Sequence, residues 1–192
     1  MATTSYRALL GGERHGAWIQ TLKGRAFWPE DPRPGDFDIL EIAHALSNIC
    51  RFNGHVSRFM SVAEHSVWVS MECDPGDAFE GLMHDAAEAY IGDVVRPLKR
   101  CLGDYREIEQ RVELALAEQF DLRYPWPDSV RRADDAVLMA ERRDLLIDAP
   151  DLWPGILPEP MDRMVEGWSP EVAKGRFCQR YLEIRTEATR PR

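Results

Sequence analysis

Asp74-Pro75-Gly76-Asp77-Ala78-Phe79-Glu80-Gly81-Leu82-Met83-His84-Asp85-Ala86-Ala87-Glu88-Ala89-Tyr90-Ile91-Gly92 is the stretch on which the reading of the fold turns. Asp74 can cap a helix, and Pro75 stands at the first helical position, where its missing N–H does no harm. Phe79, Leu82, Met83, Ala86, Ala87 and Tyr90 then recur at helical spacing, and Gly92 is a natural stop. The spacing predicts a helix over 74–92 with its apolar face turned to a core. His84 and Asp85 interrupt that apolar run, and Glu88 follows one turn beyond His84 on the same face. Burying an unpaired carboxylate costs several kcal/mol, so these polar groups need partners from elsewhere in the chain.

The flanking segments read the same way. Ser61 and Glu64 are spaced as a capping box opening a helix over 61–73, with Glu64 expected to reach back to the cap. Ile39, Ile42, Ala43, Leu46 and Ile49 mark an earlier helix, capped by Asp36 or Asp38. Asp104 and Glu107 form a second expected capping box for a helix over 104–122, and a further helix is predicted over 129–147. A proline-rich passage at 150–160 leads to a last helix from Ser169-Pro170 to about residue 185, with a frayed tail over 186–192. Strand character is confined to 18–27, where Gly24 allows a short hairpin. Pro29, Pro32, Pro34 and Gly35 make the connection that follows irregular. The expectation is an all-α bundle with room for a short N-terminal β-hairpin. It forms one domain over 1–192, with a core at about 18–148 and a helical extension at 150–185.

Composition narrows the function. The chain has 192 residues, 44% hydrophobic and 30% charged, which suits one globular domain. No apolar stretch approaches the roughly 18 residues of a membrane span, and the start at 1–7 lacks a signal-peptide pattern. The formal charge of −9 argues against a polymeric nucleic-acid surface, though it leaves room for a local basic pocket. Cys50, Cys73, Cys101 and Cys178 are scattered, with no Cys-x-x-Cys pair. They read as reduced core residues of a cytoplasmic protein.

His65 lies one turn into the helix before the one bearing His84-Asp85, and Asp134 lies beside apolar Val137, Leu138 and Ala140. Two imidazoles and two carboxylates from three helices can converge on a divalent cation in a bundle core. The set suits Mn, Fe, Co, Ni or Zn, having too few oxygens for calcium and too few sulfurs for structural zinc. His44, His55 and Asp135 are alternatives at two of the four positions.

In these residues the chain resembles the HD-domain phosphohydrolases. Ser61-Val-Ala-Glu-His-Ser66, Met83-His-Asp-Ala-Ala-Glu-Ala-Tyr90, Gly92-Asp93, Pro97-Leu-Lys99 and Ala133-Asp134 match that family's H…HD…D order over about 18–148. The resemblance is nearest to the small branch acting on deoxynucleotides, the 5′-deoxynucleotidases and phage deoxynucleoside triphosphohydrolases. It implies an HD-type bundle with His65, His84, Asp85 and Asp134 as metal ligands and Glu88 assisting the hydrolytic water. The match to the Ala-Asp step selects Asp134 over Asp135. Helix order selects His65 over His44, a core histidine, and His55, a loop residue. The family's Arg-aromatic pair before the first ligand is Arg51-Phe52 here, with phenylalanine where the bacterial nucleotidases usually carry tryptophan. Asp93 matches a ribose contact.

An acidic protein that handles phosphate must concentrate cations locally. Arg51 and Lys99 are the candidates by motif, Arg96 and Arg131 by position, and Phe52 or Trp28 are candidates for stacking on a base. The implied activity is hydrolysis of a free 2′-deoxynucleotide, either as a nucleotidase or as a triphosphohydrolase, with dATP among the substrates considered, by a homo-oligomer. The alternatives are a catalytically inactive metal- and nucleotide-binding module, or an alarmone or cyclic-nucleotide hydrolase; no Gly-Tyr-Pro step follows the His-Asp pair to support the last.

Overall fold

Asp38 starts the first helix as expected, its carboxylate accepting from the backbone N–H groups of Leu40 and Glu41. The computed structural model describes residues 13–148, 153 and 158–188. The start at 1–7, most of the 150–160 passage and the end of the 186–192 tail lie outside the described residues.

The described chain is mostly helical, with one two-stranded sheet. Strands β1 (Ile19–Gln20) and β2 (Ala26–Phe27) pair antiparallel, with Ile19 opposite Phe27, and turn at Gly24. Glu41 anchors this hairpin, its buried carboxylate accepting from Thr21 Oγ1 at 2.7 Å, Lys23 N at 2.6 Å and Arg25 at 2.5 Å. The helices are α1 (Ile39–Asn48), α2 (Val62–Glu72), α3 (Ala78–Met83), α4 (Glu88–Ile91), α5 (Arg96–Lys99), α6 (Gly103–Phe120), α7 (Asp128–Leu145) and α8 (Pro170–Ala188). Helix α2 is central, packed against α1, α3, α7 and α8. Met161, Val165, Trp168, Ala173 and Phe177 enter the same apolar core as Phe27, Leu46, Leu82, Leu116 and Val137. No helix of the described residues is long and apolar enough to cross a membrane.

Several local expectations need correction. The segment expected as one helix over 74–92 is a 3-10 turn at Pro75–Asp77, then α3, a tight turn at 84–87, and α4. Asp74 makes no side-chain cap. Across the His84-Asp85 turn the backbone uses i→i−3 bonds, Ala86 N to Met83 O and Glu88 N to Asp85 O. Periodicity cannot separate this from a continuous helix, because the apolar residues keep nearly the same face through one tightened turn. Pro97 lies in the first turn of α5.

The capping boxes also differ. Ser61 Oγ accepts from Glu64 N at 3.1 Å, but the Glu64 carboxylate turns away from the cap. It accepts from the backbone N–H groups of Glu166, Gly167 and Trp168 at 3.1, 2.9 and 2.6 Å, and from the Trp68 indole at 3.4 Å. Gly167 has φ +74°, which only glycine adopts freely. Three consecutive backbone donors are a stronger demand than one helix start. Burial raises the Glu64 pKa in spite of these donors. At α6 there is no side-chain cap from Asp104; the helix starts one residue earlier, after Leu102. All four cysteines are free, but Cys101 is exposed and only Cys73 is fully in the core.

Helices α2 and α3 approach closely where α3 has no side chain. A Cβ on Gly81 would lie 2.8 Å from Cys73 Sγ and 3.0 Å from the Ser70 Cα. Replacing a helical glycine by alanine ordinarily stabilises by about 1 kcal/mol. Here the sign reverses, because the methyl meets backbone. Gly81→Ala is expected to lose about 1–3 kcal/mol, read as a lower urea midpoint.

Candidate metal centre

His65, on α2, is fully buried, and its two ring nitrogens face different groups. Nδ1 lies 2.7 Å from Glu141 Oε1 on α7. A carboxylate oxygen accepts here, so Nδ1 carries a proton, and in the neutral ring Nε2 is the nitrogen with the lone pair. His84 repeats the arrangement with a backbone partner, Nδ1 donating to Gly81 O at 2.9 Å. Both Nε2 atoms are therefore aimed inward, and neither has a hydrogen-bond partner.

Carboxylates meet those lone pairs. His65 Nε2 is 3.2 Å from Asp134 Oδ1 and 3.5 Å from Asp85 Oδ2, and His84 Nε2 is 3.2 Å from Asp85 Oδ2. One ligand atom each from His65, His84 and Asp134 lie within 4.8 Å of one another. Acceptors facing acceptors at these distances require a positive charge between them, either protons or a cation. In the protein without a metal, burial and Arg51 work against a charged His65. The carboxylates of Glu141 and Asp134 outweigh both, and its pKa rises to about 9. Asp85 and Asp134 are both held below the ordinary carboxylate range; burial opposes this, and the His84 and His65 rings drive it. The donor set of His65, His84 and Asp134 could hold a metal ion; Asp85 lies beside both Nε2 atoms but outside this three-residue group.

The remaining candidates are placed as follows. Arg51 lies in a 3-10 turn in which Phe52 and Asn53 both adopt left-handed backbone, with φ of 55° and 51°. Such a conformation is uncommon for residues other than glycine. Arg51 Nε donates to Glu141 Oε2 at 2.9 Å, and Nη1 lies 3.8 Å from Asp85. Burial would lower the Arg51 pKa, but Glu141 and Asp85 raise it. Glu88 is buried with Oε2 unpartnered. Burial, then the charges of Asp85 and Asp93, push its pKa well up. Asp93 is half-buried beside Arg51 and Asp85, and burial raises its pKa as well.

Lys99 is within the electrostatic reach of Glu88 and Asp85, but its Nζ is bound to Glu109 at 2.6 Å. Arg96 spans two carboxylates, Asp134 at 2.6 Å and Asp135 at 2.9 Å. Arg131 is turned the other way, to Asp128 and to Trp126 O. His44 is half-buried on α1 and His55 is exposed; neither joins the group. Trp28 stacks under Arg14. Phe52 instead meets Trp153, with ring centroids 6.4 Å apart.

Two groups escaped the sequence reading. Glu141 joins His65 to Arg51, and its signal was present: it falls seven residues after Asp134 on the same face of α7, in an apolar stripe. Trp153 had no periodic context to reveal it.

The fold and the cluster together define a mostly helical protein with a buried His/Asp group suited to a metal ion. No protein-family model matches the sequence. Over 170 residues the chain is 39% identical to the uncharacterized protein YfdR of Escherichia coli, covering 88% of this chain and 96% of YfdR. An uncharacterized protein of Rhodobacter capsulatus is 35% identical over 127 residues, covering 61% of this chain and 65% of that protein. The chain belongs to the family of YfdR.

A ligand that binds only the folded state stabilises it by about 2.7 kcal/mol at a hundredfold excess over its Kd. Manganese or cobalt at such an excess is expected to raise the melting temperature of the wild type and to leave His84→Ala unmoved. Equal shifts in the two proteins would remove His84 from the site.

Proposed function

We propose that this chain is an HD-type metal-dependent phosphohydrolase acting on free 2′-deoxynucleotides. The observation that carries the reading is the pair of buried, unpartnered Nε2 atoms of His65 and His84, which face Asp85 and Asp134 beside the Arg51 guanidinium. Their order along the chain is that of the HD enzymes it resembles, and their places on α2, the turn between α3 and α4, and α7 support the same assignment. A divalent cation held there would polarise a phosphoryl oxygen and lower the pKa of a water.

The chain's own residues then bind and orient. Arg51 is anchored through Nε to Glu141, leaving its Nη atoms, with only a long approach to Asp85, to grip phosphate oxygens. Lys99 supplies a compact charge once it exchanges Glu109 for phosphate. Glu88 Oε2, unpartnered and buried, holds or moves a proton at the reacting centre. By the family resemblance Asp93 would contact the sugar, and Phe52, which packs against Trp153, would contact the base. A net charge of −9 favours a small substrate over a polymer, since DNA affinity rests on neutralising many backbone phosphates.

The test is a panel of deoxynucleoside mono- and triphosphates with Mn or Co, products being separated by chromatography. Wild type is expected to release phosphate or intact triphosphate, and Asp85→Ala to fall to background. Background release from both would overturn the enzyme in favour of a binding module. Lys99→Ala removes one charge-assisted contact and should weaken substrate binding by about 1.5–3 kcal/mol, chiefly as a raised KM. Unchanged constants would return Lys99 to the solvated surface.

A further inference from the structure

Glu141 is fully buried on α7, and each of its oxygens has a different partner. Oε1 accepts from His65 Nδ1 at 2.7 Å, and Oε2 accepts from Arg51 Nε at 2.9 Å. One side holds the imidazole whose other nitrogen faces the cluster; the other holds the guanidinium that faces the same carboxylates. We propose that Glu141 is a positioning residue that couples the two halves of the site, fixing the His65 tautomer for a metal and the Arg51 fork for a phosphate. The inference deepens the reading above and rests on its assignment of His65 as a metal ligand.

The chemistry of the contact supports this role over plain packing. Without an acceptor at Nδ1, the His65 proton is free to move to Nε2, and the nitrogen that faces Asp134 loses its lone pair. Without the second oxygen, Arg51 loses its hydrogen-bonded carboxylate, because Asp85 stands 3.8 Å away. A neutral amide in place of the carboxylate keeps the shape and removes the charge from both contacts. Partners that orient a metal-binding histidine are typically worth 10–100-fold in metal affinity. A cation drawn to His65 Nε2 also strengthens the Nδ1 donation to Oε1. That draws negative charge from the carboxylate whose other oxygen holds Arg51, so metal and phosphate are expected to assist each other through this one side chain.

The experiment is a cobalt titration of the full chain followed by visible absorbance, then inorganic phosphate titration at saturating cobalt. Glu141→Gln is expected to bind cobalt 10–100-fold more weakly than wild type and, at saturating cobalt, to bind phosphate more weakly as well. In an Arg51→Ala background the effect of Glu141→Gln on phosphate should vanish while its effect on cobalt persists. Glu41→Gln, at another buried carboxylate, one that ties the hairpin to α1, should leave cobalt affinity unchanged. If Glu141→Gln does not fold, Glu141→Asp keeps the charge on a shorter arm and should weaken at least one of the two ligands. Wild-type cobalt affinity in a folded Glu141→Gln protein would overturn the inference even where nucleotide hydrolysis is intact. Cobalt binding that depends on Glu141 in a protein that hydrolyses no nucleotide would sustain it and sink the functional reading alone. A wild type that takes up no cobalt overturns both.

Discussion

A buried imidazole must satisfy both ring nitrogens, and that requirement at His65 organises the helices around it. Nδ1 is met by Glu141 on α7. Nε2 is directed at Asp134, also on α7, and at Asp85 on the turn after α3. Helix α2 is thereby joined to α7 and α3 by polar contacts as well as by apolar packing. Misplacing any of the three would strand a carboxylate or an imidazole in the core, at a cost of several kcal/mol for a charged group. The apolar core makes the bundle compact; the polar cluster restricts how α2, α3 and α7 can sit within it.

Charge balance around the cluster follows from the same burial. Asp85, Asp134, Glu88, Asp93 and Glu141 gather carboxylates about a single deeply placed guanidinium, Arg51. The other nearby cations are already engaged, Arg96 by Asp134 and Asp135, and Lys99 by Glu109. The group thus carries more negative than positive charge when the histidines are neutral. That excess explains at once the raised pKa of His65, the raised pKa of Glu88 and the suitability of the centre for a divalent cation.

A neighbouring side of α2 uses the same principle with backbone donors. Glu64, adjacent to His65 in sequence, receives three consecutive amides from 166–168 and so seats the segment that leads into α8. Trp168 then stacks on Trp68, with ring centroids 5.3 Å apart, and Ala173 and Phe177 complete the core. Neighbouring residues of one helix therefore serve two ends: Glu64 docks the C-terminal helix, and His65 holds the cluster. A buried carboxylate is tolerated on each side because every one of its oxygens has a donor.

Much of this was legible in the sequence. The apolar periodicity of α1, the Asp38 and Ser61 caps, and the Gly24 hairpin depend on residues close together in the chain, and local backbone physics is enough to read them. His65, His84 and Asp134, three of the four residues that the resemblance named as ligands, lie together. Other features depended on the assembled core. Glu64 left its cap because three distant amides demanded an acceptor, and Arg131 turned outward to Asp128. The helix over 74–92 broke at the His84-Asp85 turn, and Glu141 was recruited between His65 and Arg51. The sequence alone determined where the main helices run and that polar residues such as His84 interrupt their apolar faces. Tertiary structure decided which partner each buried charge takes, because desolvation imposes that choice only once helices far apart in the chain have excluded water between them.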